Sequence, residues 1–207
     1  MNKLVIIGAG RAGRFTNTLA AACGVEVIGF LDDTFPIGSS VDYRKILGGT
    51  KDVVTIADKY CCKFAISISS MPKRKELYDE MQEHGLKLLS LIHPSVVVYP
   101  GATIGEGVII QPFCTVQTGA RINENVIVEE LCAIGVDVEI GRHSVIAPSV
   151  SLTGGCVVGR ECFIGTRSCI NPEVIFAQGG KLGSGSTLIR NSEGGGVYVG
   201  SPAAKIK

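Results

Sequence analysis

Every sixth residue from Val98 to Leu188 is bulky and apolar, beginning Val98, Ile104, Ile110, Val116, Ile122, Val128, Ile134 and Ile140 and continuing without a slip. Four positions after each stands a small or β-branched side chain: Ala102, Val108, Cys114, Ala120, Val126, Cys132, Val138, Ser144 and their successors. A helix repeats every 3.6 residues and a half-buried strand every two, so neither makes these combs. A parallel β-helix does, because each six-residue unit supplies one wall strand and one corner. The first position then fills the core and the fifth fits under the bend. Glycine recurs at the second position (Gly105, Gly135, Gly141, Gly159, Gly165, Gly183), where the corner is expected to demand backbone angles that a side chain obstructs. Three units close one coil, so residues 98–187 predict five coils.

The first hundred residues follow a different rhythm. Lys3 to Ile7 is a β-branched run, followed by Gly8-Ala9-Gly10-Arg11-Ala12-Gly13 and a helix-compatible stretch to about Cys23. Val25 to Leu31 reads as a second buried strand ending in Asp32-Asp33, and Phe64 to Ile68 as a third ending in Ser69-Ser70. Lys73 to His84 has helical spacing with Gly85 as its stop, and Lys87 to Ile92 reads as a fourth strand. The alternation predicts a small parallel sheet of Rossmann type, whose ligands bind beyond the carboxyl ends of the strands. A glycine turn opening a helix brings N–H groups and the helix dipole to a phosphate, and an acidic residue ending the next strand can hold a ribose or base. The sheet lacks a second mononucleotide unit, so a single nucleotide or nucleotide-sugar fits better than a dinucleotide. His93-Pro94 marks a hinge, with His93 structural. The chain thus divides into an α/β Rossmann-like half domain over 1–93 and an all-β parallel β-helix over 94–207 with a C-terminal tail.

Composition narrows the function. Net charge is +1 with no basic run, which removes the electrostatic footprint of a nucleic-acid binder. No apolar stretch approaches a membrane-spanning length, and a soluble, cytoplasmic protein is expected. Of the eight cysteines, Cys114, Cys132, Cys156 and Cys162 fall on the small-residue comb, where a thiol packs as a compact hydrophobe. Cys114 and Cys132 should stack one coil apart. The adjacent Cys61 and Cys62 point to opposite sides if they lie on a strand. No CxxC or Cys/His spacing suggests a metal.

Together the glycine turn, the Ile92-His93-Pro94-Ser95 junction, the unbroken hexads and the closing Val199-Gly200-Ser201-Pro202-Ala203 segment resemble the bacterial hexapeptide-repeat sugar acetyltransferases. That family is typified by the UDP-4-amino-sugar N-acetyltransferases of bacillosamine synthesis and the sialic acid O-acetyltransferases. The resemblance covers essentially the whole chain. It implies a left-handed β-helix, a homotrimer with active sites between subunits, acetyl-CoA as co-substrate and a nucleotide-linked amino sugar as acceptor for surface glycan synthesis. Carried over by position, the thioester and pantetheine would pass Gly154, Gly165, Thr166, Gly183 and Ser184. The nucleotide would contact Gly8, Gly10, Asp32, Asp33 and Ser69.

One departure from the family changes the chemistry. The family's His-Asp or His-Glu pair, whose histidine is the general base, stands here as Val136-Asp137, and a second family histidine is Val145. An often aromatic or histidine position in the glycine turn is Ala12. His143 is the one histidine inside the array, on a corner expected to be exposed. An alcohol must lose its proton as it attacks, and a general base typically contributes about 10²–10⁴-fold. A primary amine is partly neutral near neutral pH and needs only a proton sink, so the missing histidine favours an amino sugar over a sialic acid hydroxyl. Asp137, His143, Glu129 and Glu130 are the candidate sinks or ammonium holders. A sugar O-acetyltransferase and a catalytically silent nucleotide-sugar-binding paralogue are the competing readings.

Overall fold

The computed structural model describes residues 3–207, which form two compact units, one ending at Leu91 and the other running from Ile92 to Lys207. In the first, β1 (Lys3–Ile7), β2 (Glu26–Leu31), β4 (Arg44–Gly48) and β5 (Lys63–Ile66) are parallel, and the short β3 (Ser40–Val41) runs antiparallel to β4. The sheet order is β3-β4-β2-β1-β5. Helices α1 (Arg11–Ala22), α2 (Val53–Tyr60) and α3 (Met71–Glu83) complete the unit. The interior strand β1, between β2 and β5, is apolar on both faces and Leu4 to Ile7 are fully buried, as a parallel sheet covered by helices requires. Val5, Ile7, Leu31, Phe64, Leu77 and Met81 belong to one core cluster.

Two expectations for this unit are corrected. Lys87 to Ile92 is not one strand: Leu88 makes a single parallel bridge to Phe64, and Leu91–Ile92 joins the β-helix instead. Cys61 and Cys62 do not lie on a strand. Cys61 is the left-handed C-cap of α2 (φ +48°), and Cys62 leads into β5.

The second unit is a three-walled parallel β-helix. Two-residue strands pair with strands eighteen residues away, as in Val116↔Ile134, Ile122↔Ile140 and Val128↔Ile146. Wall one runs from Leu91–Ile92 through Ile127–Val128 to Gly180–Leu182, wall two from Val97–Val98 through Ala133–Ile134 to Thr187–Leu188, and wall three from Thr103–Ile104 through Glu139–Ile140 to Ile175–Phe176. The sixfold comb from Ile110 to Leu188 is the buried core of this prism. Gly196–Gly200 then pairs parallel to wall one, and Ala203–Lys205 folds back antiparallel on it. Tyr198 closes the end of the core edge-on to Phe176, with ring centroids 5.6 Å apart.

The second comb is more than small. Its hydroxyls and thiols donate to carbonyls fifteen residues on: Ser144 Oγ to Gly159 O (2.9 Å), Cys114 Sγ to Glu129 O (3.1 Å) and Cys132 Sγ to Ala147 O (3.1 Å). Cys114 and Cys132 do stack, the Cys132 N–H lying 3.4 Å from Cys114 Sγ. Burial pushes the Cys156 thiol up to about 12 and Cys162 up to about 11, so these remain neutral packing groups.

The corner glycines work differently from expectation. The residue in the left-handed region is the fourth of each hexad, glycine or not: Phe113 and Leu131 at +62°, Asp137 at +56°, His143 at +64°. The second-position glycines instead permit coil-to-coil contact. A Cβ on Gly141 would lie 2.6 Å from the Arg160 nitrogen, and one on Gly165 would lie 2.5 Å from the Ser184 nitrogen.

Candidate functional site

In the first unit a cleft of about 470 Å³ opens over the start of α1, lined by Ala9, Gly10, Arg11, Arg14, Phe35, Ser40, Val41 and Asp42. Of the five nucleotide residues predicted, only Gly10 lines it. Gly8 makes the turn (φ +99°), and a Cβ there would lie 2.6 Å from the Ser67 carbonyl. Asp32 ties the strand ends together: its carboxylate accepts the Ala9 N–H (2.7 Å), the Thr34 N–H (2.8 Å) and the Thr34 hydroxyl (2.6 Å). Burial raises its pKa, but these hydrogen bonds and one from Phe35 outweigh that, so the net shift is downward. Asp33 is occupied elsewhere, accepting the Thr50 N–H (2.7 Å) and hydroxyl (2.8 Å). Ser69 is exposed just beyond β5. Sequence reasoning missed Arg11 and Arg14. Arg11 opens α1 beside N–H groups that a helix start leaves free for an anion. Arg14 Nε holds both oxygens of Asp42 on the β3–β4 hairpin (3.0 and 3.1 Å).

In the β-helix, residues eighteen apart share an edge. Edge A, between walls two and three, carries Gly119, Asp137, Gly155 and Glu173. Edge B, between walls three and one, carries Asn125, His143 and Glu161. Edge C, between walls one and two, carries Phe113, Leu131, Ser149, Arg167 and Gly185. The predicted acyl-transfer residues are therefore not brought together within one chain. Asp137 is on edge A with Val136 and Gly154. Glu129 and Glu130 approach edge C, as do Gly165, Thr166, Gly183 and Ser184. His143 is on edge B, and it is not the exposed corner expected: it is 5% exposed, with Nδ1 2.9 Å from Asn125 Nδ2. The correction is to its exposure: the imidazole is buried, hydrogen-bonded and on another edge than Val136. His143→Ala is expected to cost roughly 1–3 kcal/mol of stability, read by denaturant unfolding, while turnover of the folded protein persists.

Glu129 is half-buried, and burial first, then neighbouring Glu130, raises its pKa. Asp137 is exposed, and its carboxylate leans over Gly119, into the space that a Cβ there would take. Glu173, absent from the sequence reading, does the same two coils on: its Oε1 lies 2.9 Å from where a Gly155 Cβ would be.

Glycine geometry singles out two positions. Gly13 is obligatory because a Cβ there would overlap the Gly8 carbonyl. Gly165 and Gly183 are likewise explained by stacking, Gly183 against Val199 Cγ1 at 2.8 Å. Gly10 and Gly154 carry no such obligation. Gly10 has φ −71° and nothing within 4 Å of a Cβ; Gly154 has no left-handed φ, and a Cβ would meet Val136 O at an ordinary 3.6 Å. Gly154 is also the single glycine at the third position of any hexad between Ile104 and Ser186. Third-position N–H groups take no part in the backbone bonds between coils. Among the described residues no backbone acceptor takes those of Gly154, Thr166 or Ser184. Gly10→Ala should therefore cost no more than the N-cap preference of glycine over alanine, about 1 kcal/mol, and lose nucleotide-sugar affinity, whereas Gly13→Ala should lose about 3 kcal/mol; calorimetric melting and titration with ligand separate the two.

Comparison with known proteins agrees with this layout. Residues 3–81 match the model of the PglD N-terminal domain, and residues 90–118 match bacterial transferase hexapeptide repeats. GDP-perosamine N-acetyltransferase of Escherichia coli O157:H7 is 27% identical, covering 100% of this chain and 97% of the relative. The acetyltransferase domain of PglB from Neisseria gonorrhoeae FA1090, solved in complex with acetyl coenzyme A, is 28% identical with TM-score 0.92 and full coverage of both chains. A point mutant of perosamine N-acetyltransferase from Caulobacter crescentus, solved with CoA and GDP-perosamine, shares the fold at 24% identity and TM-score 0.95, covering 100% of this chain and 98% of that one. The fold is thus a Rossmann-like α/β half domain followed by a left-handed β-helix.

Proposed function

The chain belongs to the hexapeptide-repeat sugar acetyltransferases, and from that premise we propose that it transfers the acetyl group of acetyl-CoA to the amine of a nucleotide-linked amino-deoxy sugar. The observation that carries the reading is Gly154: a third-position glycine the fold does not need, with a free N–H, beside Val136. A donor so placed fits a thioester carbonyl and the negative charge it gains under attack. The free N–H groups of Thr166 and Ser184, about one coil spacing (4.8 Å) apart, fit the amide carbonyls of a pantetheine arm. Arg11 and the start of α1 fit the diphosphate of the acceptor, with Gly10 allowing close approach. Val136, which cannot accept a proton, favours an amine over an alcohol.

The working form is a homotrimer with active sites between subunits. Gly154 on edge A and Thr166 with Ser184 on edge C flank wall two, so one chain cannot offer both to one thioester. Edge C of one chain meets edge A of the next when wall two faces a common axis. Of the three walls, only wall two has no charged side chain on its outer face, which shows Thr115, Ala133, Ser151, Cys169 and Thr187. Contact between two different edges is heterologous and closes into a ring. Use of acetyl-CoA places the activity in the cytoplasm, in surface polysaccharide or glycoprotein synthesis. No helix among the described residues is long and apolar enough to cross a membrane.

The test is release of CoA thiol from acetyl-CoA with a panel of UDP-, dTDP- and GDP-linked amino sugars and with sialic acids. Turnover confined to amines supports the proposal. Turnover on hydroxyls alone would identify an O-acetyltransferase, and binding without thiol release a silent paralogue.

A further inference from the structure

We propose that Glu173, rather than a histidine, receives the proton of the attacking sugar amine. The inference rests on the acetyltransferase reading above and concerns which side chain touches the acceptor nitrogen. Four side chains were candidates from the sequence, and their positions separate them. His143 is buried on edge B and paired with Asn125. Asp137 shares the edge of Val136 but directs its carboxylate away from Gly154, over Gly119. Glu129 and Glu130 approach edge C. Glu173 lies on edge A one coil beyond Gly154, and its backbone N–H donates to the Gly154 carbonyl at 3.0 Å.

Its side chain bends back over Gly155, the residue that follows Gly154. Gly155 leaves the space that the Glu173 carboxylate occupies, with Oε1 2.9 Å and Oε2 3.5 Å from a hypothetical Gly155 Cβ. The free Gly154 N–H and an exposed carboxylate thus stand on one corner: a donor for the carbonyl oxygen beside an anion for the amine. No ion pair involving Glu173 occurs among the described residues. The other charged groups along this edge are Asp137 on the coil below Gly155 and Arg190, two residues past Leu188.

The step balances simply. The sugar ammonium gives one proton to the Glu173 carboxylate. Its neutral nitrogen attacks the thioester carbon, a C–N bond forms, the C–S bond breaks, and the nitrogen's second proton leaves with the thiolate as CoA thiol. Glu173 returns its proton to water.

Glu173→Gln keeps the shape and removes the base. On the amino-sugar nucleotide that the wild type turns over best, kcat/KM is expected to fall about 10²-fold or more near neutral pH. It should recover to within about tenfold near pH 9.5, where bulk solvent takes the ammonium proton. CoA affinity by calorimetry should be unchanged, and Asp137→Asn and Glu129→Gln should not reproduce the pH profile. A Glu173→Gln enzyme with wild-type kcat/KM at neutral pH, or a loss equal at all pH values, would overturn the assignment, as would the same profile arising from Glu129→Gln alone. A wild type that releases no thiol with any amine would instead remove the acetyltransferase reading, and this assignment with it.

Discussion

Gly154→Leu is expected to abolish acyl transfer while leaving the protein folded. The position has ordinary backbone angles, and an added Cβ meets only Val136 O at 3.6 Å, so the β-helix accepts a side chain there. Third-position side chains leave the prism outward, as Val136 does at 46% exposure. A leucine would therefore cover the Gly154 N–H and fill the space beside it. Removing one preorganised donor to a developing oxyanion costs about 10²–10³-fold in kcat, and steric exclusion of the thioester adds to that. We expect at least about a 10²-fold loss of thiol release with an unchanged melting temperature. Gly165→Ala is the contrasting variant: its Cβ would lie 2.5 Å from the Ser184 nitrogen, so stability falls first. A fully active Gly154→Leu enzyme would show that the thioester lies elsewhere.

The contrast between these glycines shows what the sequence could and could not disclose. A comb of period six is a direct consequence of one strand and one corner per unit, so walls, core and cysteine stacking were all legible. Which edge a residue occupies depends on the eighteen-residue coil, not on the hexad. Asp137 and His143, six apart, look like neighbours on the comb yet sit on different edges, while Asp137, Gly155 and Glu173 share one. Counting by eighteen would have put Glu173 beside Gly154. The inward turn of His143 toward Asn125 was not legible, because a left-handed corner residue can face water or a neighbouring coil. In the first unit the Gly8 to Gly13 turn was visible. The engagement of Asp33 with Thr50 was not, since it depends on the loop after β4, seventeen residues away. The hairpin and α2 were missed because their segments are short and weakly periodic.

Phe113→Glu together with Leu131→Glu is expected to break the proposed trimer and silence every site at once. Both residues sit on edge C in adjacent coils, both have φ +62°, and they are 66% and 58% exposed. A bulky side chain in the left-handed region costs roughly 1–2 kcal/mol relative to the right-handed one. Neither residue belongs to the buried core of its own chain, so the fold gains little from them. Apolar side chains at such a position become favourable when a partner covers them. The exposed Val136 on edge A is the apolar counterpart a neighbouring chain would bring. Two carboxylates there would have to lose their hydration without a cation to pair with, a cost of several kcal/mol per ion in a dry contact. Light scattering should show the mass fall from three chains to one, and circular dichroism should show the β-helix intact. Thiol release should drop by more than about 10²-fold, because the Thr166 and Ser184 donors of one chain no longer meet Gly154 of the next. A double variant that stays trimeric with full turnover would place the contact on another edge, and with it the thioester groove.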